Sequence, residues 1–198
     1  MKTTFRSLLL AVCASLALGT ASATTVIPPT FDELVGQAEL IFQGTVTDVR
    51  SEWVGEGAER RIVSYVTFNV DEPLKGNAGS SYTIRMLGGT VGDRTMEVTD
   101  SPKFKVGDRD ILFVENNGRQ FIPLVGIMHG RYRVQQDKGT GDEILLTNQG
   151  HALADVKQLG KDDGHGHHAA AASAAPTAGI RPAEFKALIR AKVANSQQ

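Results

Sequence analysis

The stretch Ile62-Val63-Ser64-Tyr65-Val66-Thr67-Phe68-Asn69-Val70-Asp71-Glu72 alternates along its length. Ile62, Val66, Phe68 and Val70 fall on one face, and Val63, Tyr65, Thr67 and Asn69 on the other, which is the period of a β-strand. The same β-branched and aromatic vocabulary runs on both sides of it, from Leu40 to about residue 147. Leu40–Val49 reads as a strand with an almost unbroken apolar half, and Gly44 in its middle marks a bulge or sharp bend.

Further strands are predicted at Tyr82–Leu87, Thr95–Thr99, Asp110–Glu115, Phe121–Val125, Arg131–Gln135 and Glu143–Thr147. Asn116-Asn117-Gly118 and Gly139-Thr140-Gly141 read as hairpin connections, because Asn and Gly accept positive φ. No interval between strands is long enough and periodic enough for a helical crossover. The expectation is therefore an all-β domain with minor α content: an antiparallel, OB-like β-barrel.

Two helices frame this domain. Thr30 and Glu33 form a capping box, and Phe31, Leu34, Val35 and Ala38 follow at helical spacing. At the other end, Pro182 opens a helix in which Phe185, Leu188, Ile189 and Val193 share a stripe that must pack on the β domain or on a partner.

Outward again, the chain begins with the cationic Met1-Lys2-Thr3-Thr4-Phe5-Arg6, an apolar run from Leu8 to Leu18, and Ala21-Ser22-Ala23. This pattern is that of a signal peptide over residues 1–23, with a mature start near Thr24. The apolar run is much shorter than the roughly 20 residues that span a bilayer. Lipidation at Cys13 is disfavoured by Val12, which stands where a small residue is wanted. The expected address is periplasmic or extracellular.

Cys13 is the only cysteine, so the mature chain has none, and its stability must come from a core rather than disulfides. Residues 1–23 hold Lys2 and Arg6 and no acid, so of the 21 basic and 22 acidic residues the mature chain keeps 19 and 22, a balance of −3. A mildly acidic chain without a basic block argues against a nucleic-acid partner. The division expected is 1–23 signal peptide, 24–159 barrel domain, 160–179 a flexible linker of Gly, Asp, His and Ala, and 180–198 the C-terminal helix.

Four features carry candidate chemistry. Asp162-Asp163-Gly164-His165-Gly166-His167-His168 groups imidazoles and carboxylates that can bind Zn, Ni or Cu weakly, although Gly and Ala around them supply no rigid second layer of support. No resident cofactor is expected. Trp53 lies among Glu52, Glu56, Glu59, Arg60 and Arg61, and reads either as a contact residue or as a cap on the end of the barrel. Gly88-Gly89-Thr90-Val91-Gly92-Asp93 reads as a turn, since it lacks the Lys-Ser/Thr and following helix of a phosphate-binding loop; Thr90 and Val91 are its candidate contact residues. His129 and His151 stand alone, and no nucleophile, base or acidic pair is singled out by spacing.

Three segments together look familiar: Ala38-Glu39-Leu40-Ile41-Phe42-Gln43-Gly44-Thr45-Val46, Phe68-Asn69-Val70-Asp71-Glu72-Pro73-Leu74-Lys75-Gly76, and Phe104-Lys105-Val106-Gly107-Asp108 leading into Ile111-Leu112-Phe113-Val114. Over roughly residues 31–135 the chain resembles a loose group of exported, mostly uncharacterised bacterial proteins. Their domain is similar to the OB-fold barrel of tissue inhibitors of metalloproteinases and netrin modules. The resemblance implies a fold rather than a chemistry. Inhibition in that family rests on a disulfide-anchored N-terminal cysteine that chelates zinc, and a mature start near Thr24 offers none.

The functional expectation is a non-enzymatic exported module that recognises a protein partner, with a secreted protease one candidate, through Trp53, Arg60, Arg61, Thr90 and Val91. The second expectation is a periplasmic metal-binding protein using Asp162, Asp163, His165, His167 and His168. An enzyme acting on envelope polymers is the third.

Overall fold

The computed structural model describes residues 27–161 and 179–196. The signal segment 1–23, Cys13 and the whole run Asp162–His168 lie outside the described residues.

Helix α1 (Phe31–Gln37) starts as its sequence dictates: Thr30 Oγ1 accepts from Glu33 N at 3.2 Å, and Glu33 Oε2 accepts from Thr30 N at 2.8 Å. The chain then enters two strands of 15 residues each, β1 (Leu40–Val54) and β2 (Arg61–Lys75), followed by β3 (Ser81–Leu87). A small hairpin comes next, β4 (Gly89–Val91) and β5 (Arg94–Met96). Strands β6 (Arg109–Val114), β7 (Arg131–Gln136) and β8 (Glu143–Leu146) follow, and α2 (Pro182–Asn195) is the last element among the described residues.

The main sheet has six strands in the order β3-β2-β1-β6-β7-β8, all neighbours antiparallel, and β4–β5 form a second, two-stranded sheet. β1 is central, and its register against β2 shifts between Ile41 and Phe42, between Gln43 and Gly44, and between Val46 and Asp48. At Gly44 a Cβ would lie 2.7 Å from the Asn69 carbonyl oxygen and 3.0 Å from the Phe42 ring, so the bend there needs glycine.

Both faces of the central strands are buried, which is why Leu40–Phe42 and Ile111–Val114 are unbroken apolar runs. Ile41, Ile111, Phe113 and Tyr132 face α1 and α2; Phe42, Val66, Phe68 and Leu112 face the segments that cover the other side. The C-terminal stripe docks on the β domain itself. Phe185 and Ile189 are fully buried, and the Phe185 ring centroid lies 5.8 Å from Phe31, 6.0 Å from Phe113 and 5.0 Å from Tyr132.

One expectation is met in part and two are corrected. Among the described residues the strand pairing does not close: β3 and β8 are edges, and each is covered by loop instead of by the other. Arg85 N donates to Asn117 Oδ1 and Leu87 N to the Phe121 carbonyl, while Leu145 N donates to the Ile180 carbonyl. Phe121–Val125 is no strand and contributes a single bridge, Leu124 to Val114, because Pro123 has no N–H to give and β6 is shared with Gly130 and β7. Residues 88–93, read as a turn, supply β4.

Candidate partner-binding cleft

The two hairpins meet at hydroxyl groups. On the distal half of the β1–β2 ribbon, Ser51 and Ser64 pair across the strands with their Oγ atoms 2.9 Å apart, and Ser64 Oγ also donates to the Gly88 carbonyl at 2.7 Å. Gly88 N in turn donates to the Ile62 carbonyl. Gly89 has φ +131°, and a Cβ there would stand 2.2 Å from Ser64 Oγ and 2.4 Å from Ser51 Oγ. Only glycine lets the β4–β5 hairpin leave β3 and lie across the ribbon.

That crossing opens a cleft of about 340 Å³ between the hairpin and the β1–β3 face. Its apolar walls include Val49, Val66, Met86, Met96, Val98 and Phe104. Ser51, Ser64, Thr90, Thr95 and Ser101 supply hydroxyls, and the Lys103–Glu97 ion pair, 2.6 Å, stands at its margin. Thioether and methyl walls with scattered hydroxyls suit an uncharged side chain or short extended segment, since methionine adapts its shape to what it covers.

The wall carrying Phe104 is fixed by a buried cation. Arg131, 2 % exposed, donates from Nε to Asp110 Oδ1 at 2.9 Å, from Nη2 to Asp110 Oδ2 at 3.2 Å and to Asp108 Oδ2 at 2.9 Å, and from Nη1 to the Lys103 carbonyl at 2.7 Å. Its guanidinium lies 4.1 Å from the Phe104 ring centroid, and Phe104 meets Phe68 edge-on at 5.5 Å. Burial pushes the Asp110 carboxyl up to about 6, against the pull of Arg131.

The residues singled out in the sequence divide. Thr90 is exposed on the cleft wall; Val91 is half-buried beside it at the hairpin tip and does not line the cleft. Trp53, paired with Ile62, lies two residues beyond Ser51 on the same side of the ribbon, and Arg60 stacks over it at 4.5 Å. Arg61 pairs with Val54, one residue out of phase with Ile62, and so belongs to the other side. Met86, Met96, Val98 and Phe104 were missed, because each reads as ordinary core; the only local signal was the Gly88-Gly89 doublet.

A second pocket, of about 330 Å³, brings together His129 and His151, which stand apart in the sequence, with Pro29, Met128 and Tyr132. Among the described residues no group of three or more His, Cys, Asp or Glu is arranged to hold a metal ion, and no helix is long and apolar enough to cross a membrane. Neither protein-family models nor curated proteins nor solved structures match this chain.

Proposed function

We propose that the chain is an exported, non-enzymatic binding module that recognises a protein partner on an OB-like frame, with a secreted protease among the partners it suits. The observation that carries this reading is the cleft under the β4–β5 hairpin. Its apolar walls are lined with hydroxyls, and beside it Trp53, held flat by Arg60, extends a contact surface beyond the volume of a single side chain. The long, bent, bulged β1, shared between β2 and β6, is what favours the OB-like description. Export rests on residues 1–23, whose removal after Ala23 is expected to give the working form.

The test uses mature protein 24–198 immobilised against the exported fraction of its host, alongside Thr90→Arg, which places a long cation at the cleft wall without touching the core. A protein retained by the unmodified chain, lost with Thr90→Arg, and binding in one-to-one stoichiometry when purified is the expected result. Retention unchanged by Thr90→Arg and by Trp53→Ala would refute the cleft as the site.

A further inference from the structure

Loops cover the outer edges of β3 and β8, yet the main sheet has a third edge within β1. Gly88 N donates to the Ile62 carbonyl and Val70 N to the Ser80 carbonyl, so the even-numbered residues of β2 turn their peptide groups to β3 and the odd-numbered ones to β1. The register sets Arg61, Val63, Tyr65 and Thr67 against Val54, Glu52, Arg50 and Asp48, which leaves Val49, Ser51 and Trp53 with N–H and C=O directed away from β2. On that side β6 ends opposite Thr45, and Gly107 and Asp108 close on Val46. Beyond Val46 no described residue hydrogen-bonds to the peptide groups of Val49, Ser51 or Trp53; the β4–β5 hairpin crosses the face at Ser51 and takes none of them.

An edge of bare peptide groups is a template for one more strand. Asp48, Arg50 and Glu52, all exposed, stand on the ribbon face away from the cleft and alternate in sign, while Val49 and Ser51 line the cleft. Alternating charge repels a strand of the wrong pattern and admits its complement. We propose that β1 receives an extended segment of the protein partner along residues 49–53, antiparallel like every other neighbour in the sheet. Its basic, acidic and basic side chains lie opposite Glu52, Arg50 and Asp48, and the uncharged residues between them share the face of the cleft. This rests on the binding-module reading and names the class of segment that such a module takes.

The probe is acetyl-Val-Lys-Ala-Glu-Val-Lys-Val-amide, added to ¹⁵N-labelled mature protein while amide hydrogen exchange is followed. In the protein alone, the Arg50 and Glu52 amides are expected to exchange slowly and those of Val49, Ser51 and Trp53 quickly; saturating peptide should slow the last three at least about tenfold. Antiparallel pairing points the Ala amide, and that of the Val after Glu, at β1. An N-methyl group on either should therefore weaken binding about tenfold or more, and one on Glu should change it less than about twofold. Arg50→Glu should reverse the preference, binding the peptide with Lys in place of Glu the more tightly. No slowing at Val49, Ser51 and Trp53, or equal loss from N-methylation at Ala and at Glu, would overturn the proposal. So would slow exchange of these amides in the protein alone that is lost on dilution, which assigns the edge to a second copy of the chain. A captured partner that depends on Thr90 but leaves the three amides exchanging quickly would sink this inference and leave the module reading; peptide pairing with no partner captured would do the reverse.

Discussion

Arg131 and Asp110 form a two-point ion pair inside the sheet, Nε to Oδ1 at 2.9 Å and Nη2 to Oδ2 at 3.2 Å, with side-chain exposures of 3 % and 0 %. The same guanidinium reaches the Lys103 carbonyl and packs on Phe104, so one buried cation ties β6 and β7 to the loop that walls the cleft. A pair this deep costs desolvation on both sides, and its value lies in fixing that loop in one position.

The pair gives a pH signature. Burial raises the Asp110 carboxyl from 3.8 to about 6, so the folded chain holds that proton more tightly than the unfolded one. The stabilisation from this proton is complete below about pH 4 and is lost as pH rises through about 6. Asp110→Asn lacks this dependence. Between pH 4 and 7 the stability of the unmodified chain is expected to fall relative to Asp110→Asn, by up to about 3 kcal/mol at 1.36 kcal/mol per unit. Urea unfolding of both at pH 4, 5, 6 and 7 measures it, and parallel curves would contradict the assignment.

Gly89→Ala is expected to cost more than about 2 kcal/mol, because its Cβ meets two short hydroxyl side chains and its backbone lies where only glycine is comfortable. Gly92→Ala, at φ +61° with nothing within 4 Å, should cost about 1 kcal/mol. Equal losses in thermal denaturation would mean that the hairpin does not press on Ser51 and Ser64.

Phe185→Ala removes a fully buried ring from a cluster of four aromatics and should cost about 3–5 kcal/mol, whereas Leu188→Ala, 36 % exposed, should stay within about 0.5 kcal/mol. Chemical denaturation distinguishes this from a helix that merely brushes the domain, for which both changes would be small.

Glu72 joins that helix to β2: it accepts from Lys186 and Arg190, and the Lys186 hydrogen bond is the main reason its carboxyl sits below the usual 4.5. A depressed carboxylate stabilises the fold above about pH 4.5, and the contribution disappears as pH falls through the folded value. Because the pair is partly solvated, Glu72→Gln should cost only about 0.5–1 kcal/mol at pH 7. That cost should shrink as pH falls below about 4.5 and through the folded value; a penalty constant with pH would point to packing in place of charge.

Much of the architecture was legible before any coordinates. The capping box at Thr30 and Glu33, the alternation of 62–72 and the Gly139–Gly141 hairpin are local signals, and each appears where its residues put it. Phe121–Val125 failed because its apolar residues serve the core from irregular backbone, and apolar content alone does not distinguish the two. The Gly88-Gly89 doublet was read as punctuation; its role as a crossing point depends on Ser51 and Ser64, far away in the chain.

By itself the sequence determined that the chain is mostly antiparallel β, where its two described helices lie, and that α2 carries a stripe needing a partner surface, because period, caps and turns are properties of neighbouring residues. Tertiary structure alone decided that the stripe is buried within the same chain, that among the described residues the sheet does not close and loops cover its edges, and that a cleft forms beneath the β4–β5 hairpin. It also decided that Arg131, rather than Arg133, takes both oxygens of Asp110. Each of these depends on which distant residues compete for the same space or the same hydrogen-bond acceptor, and that competition is settled only when the strands are side by side.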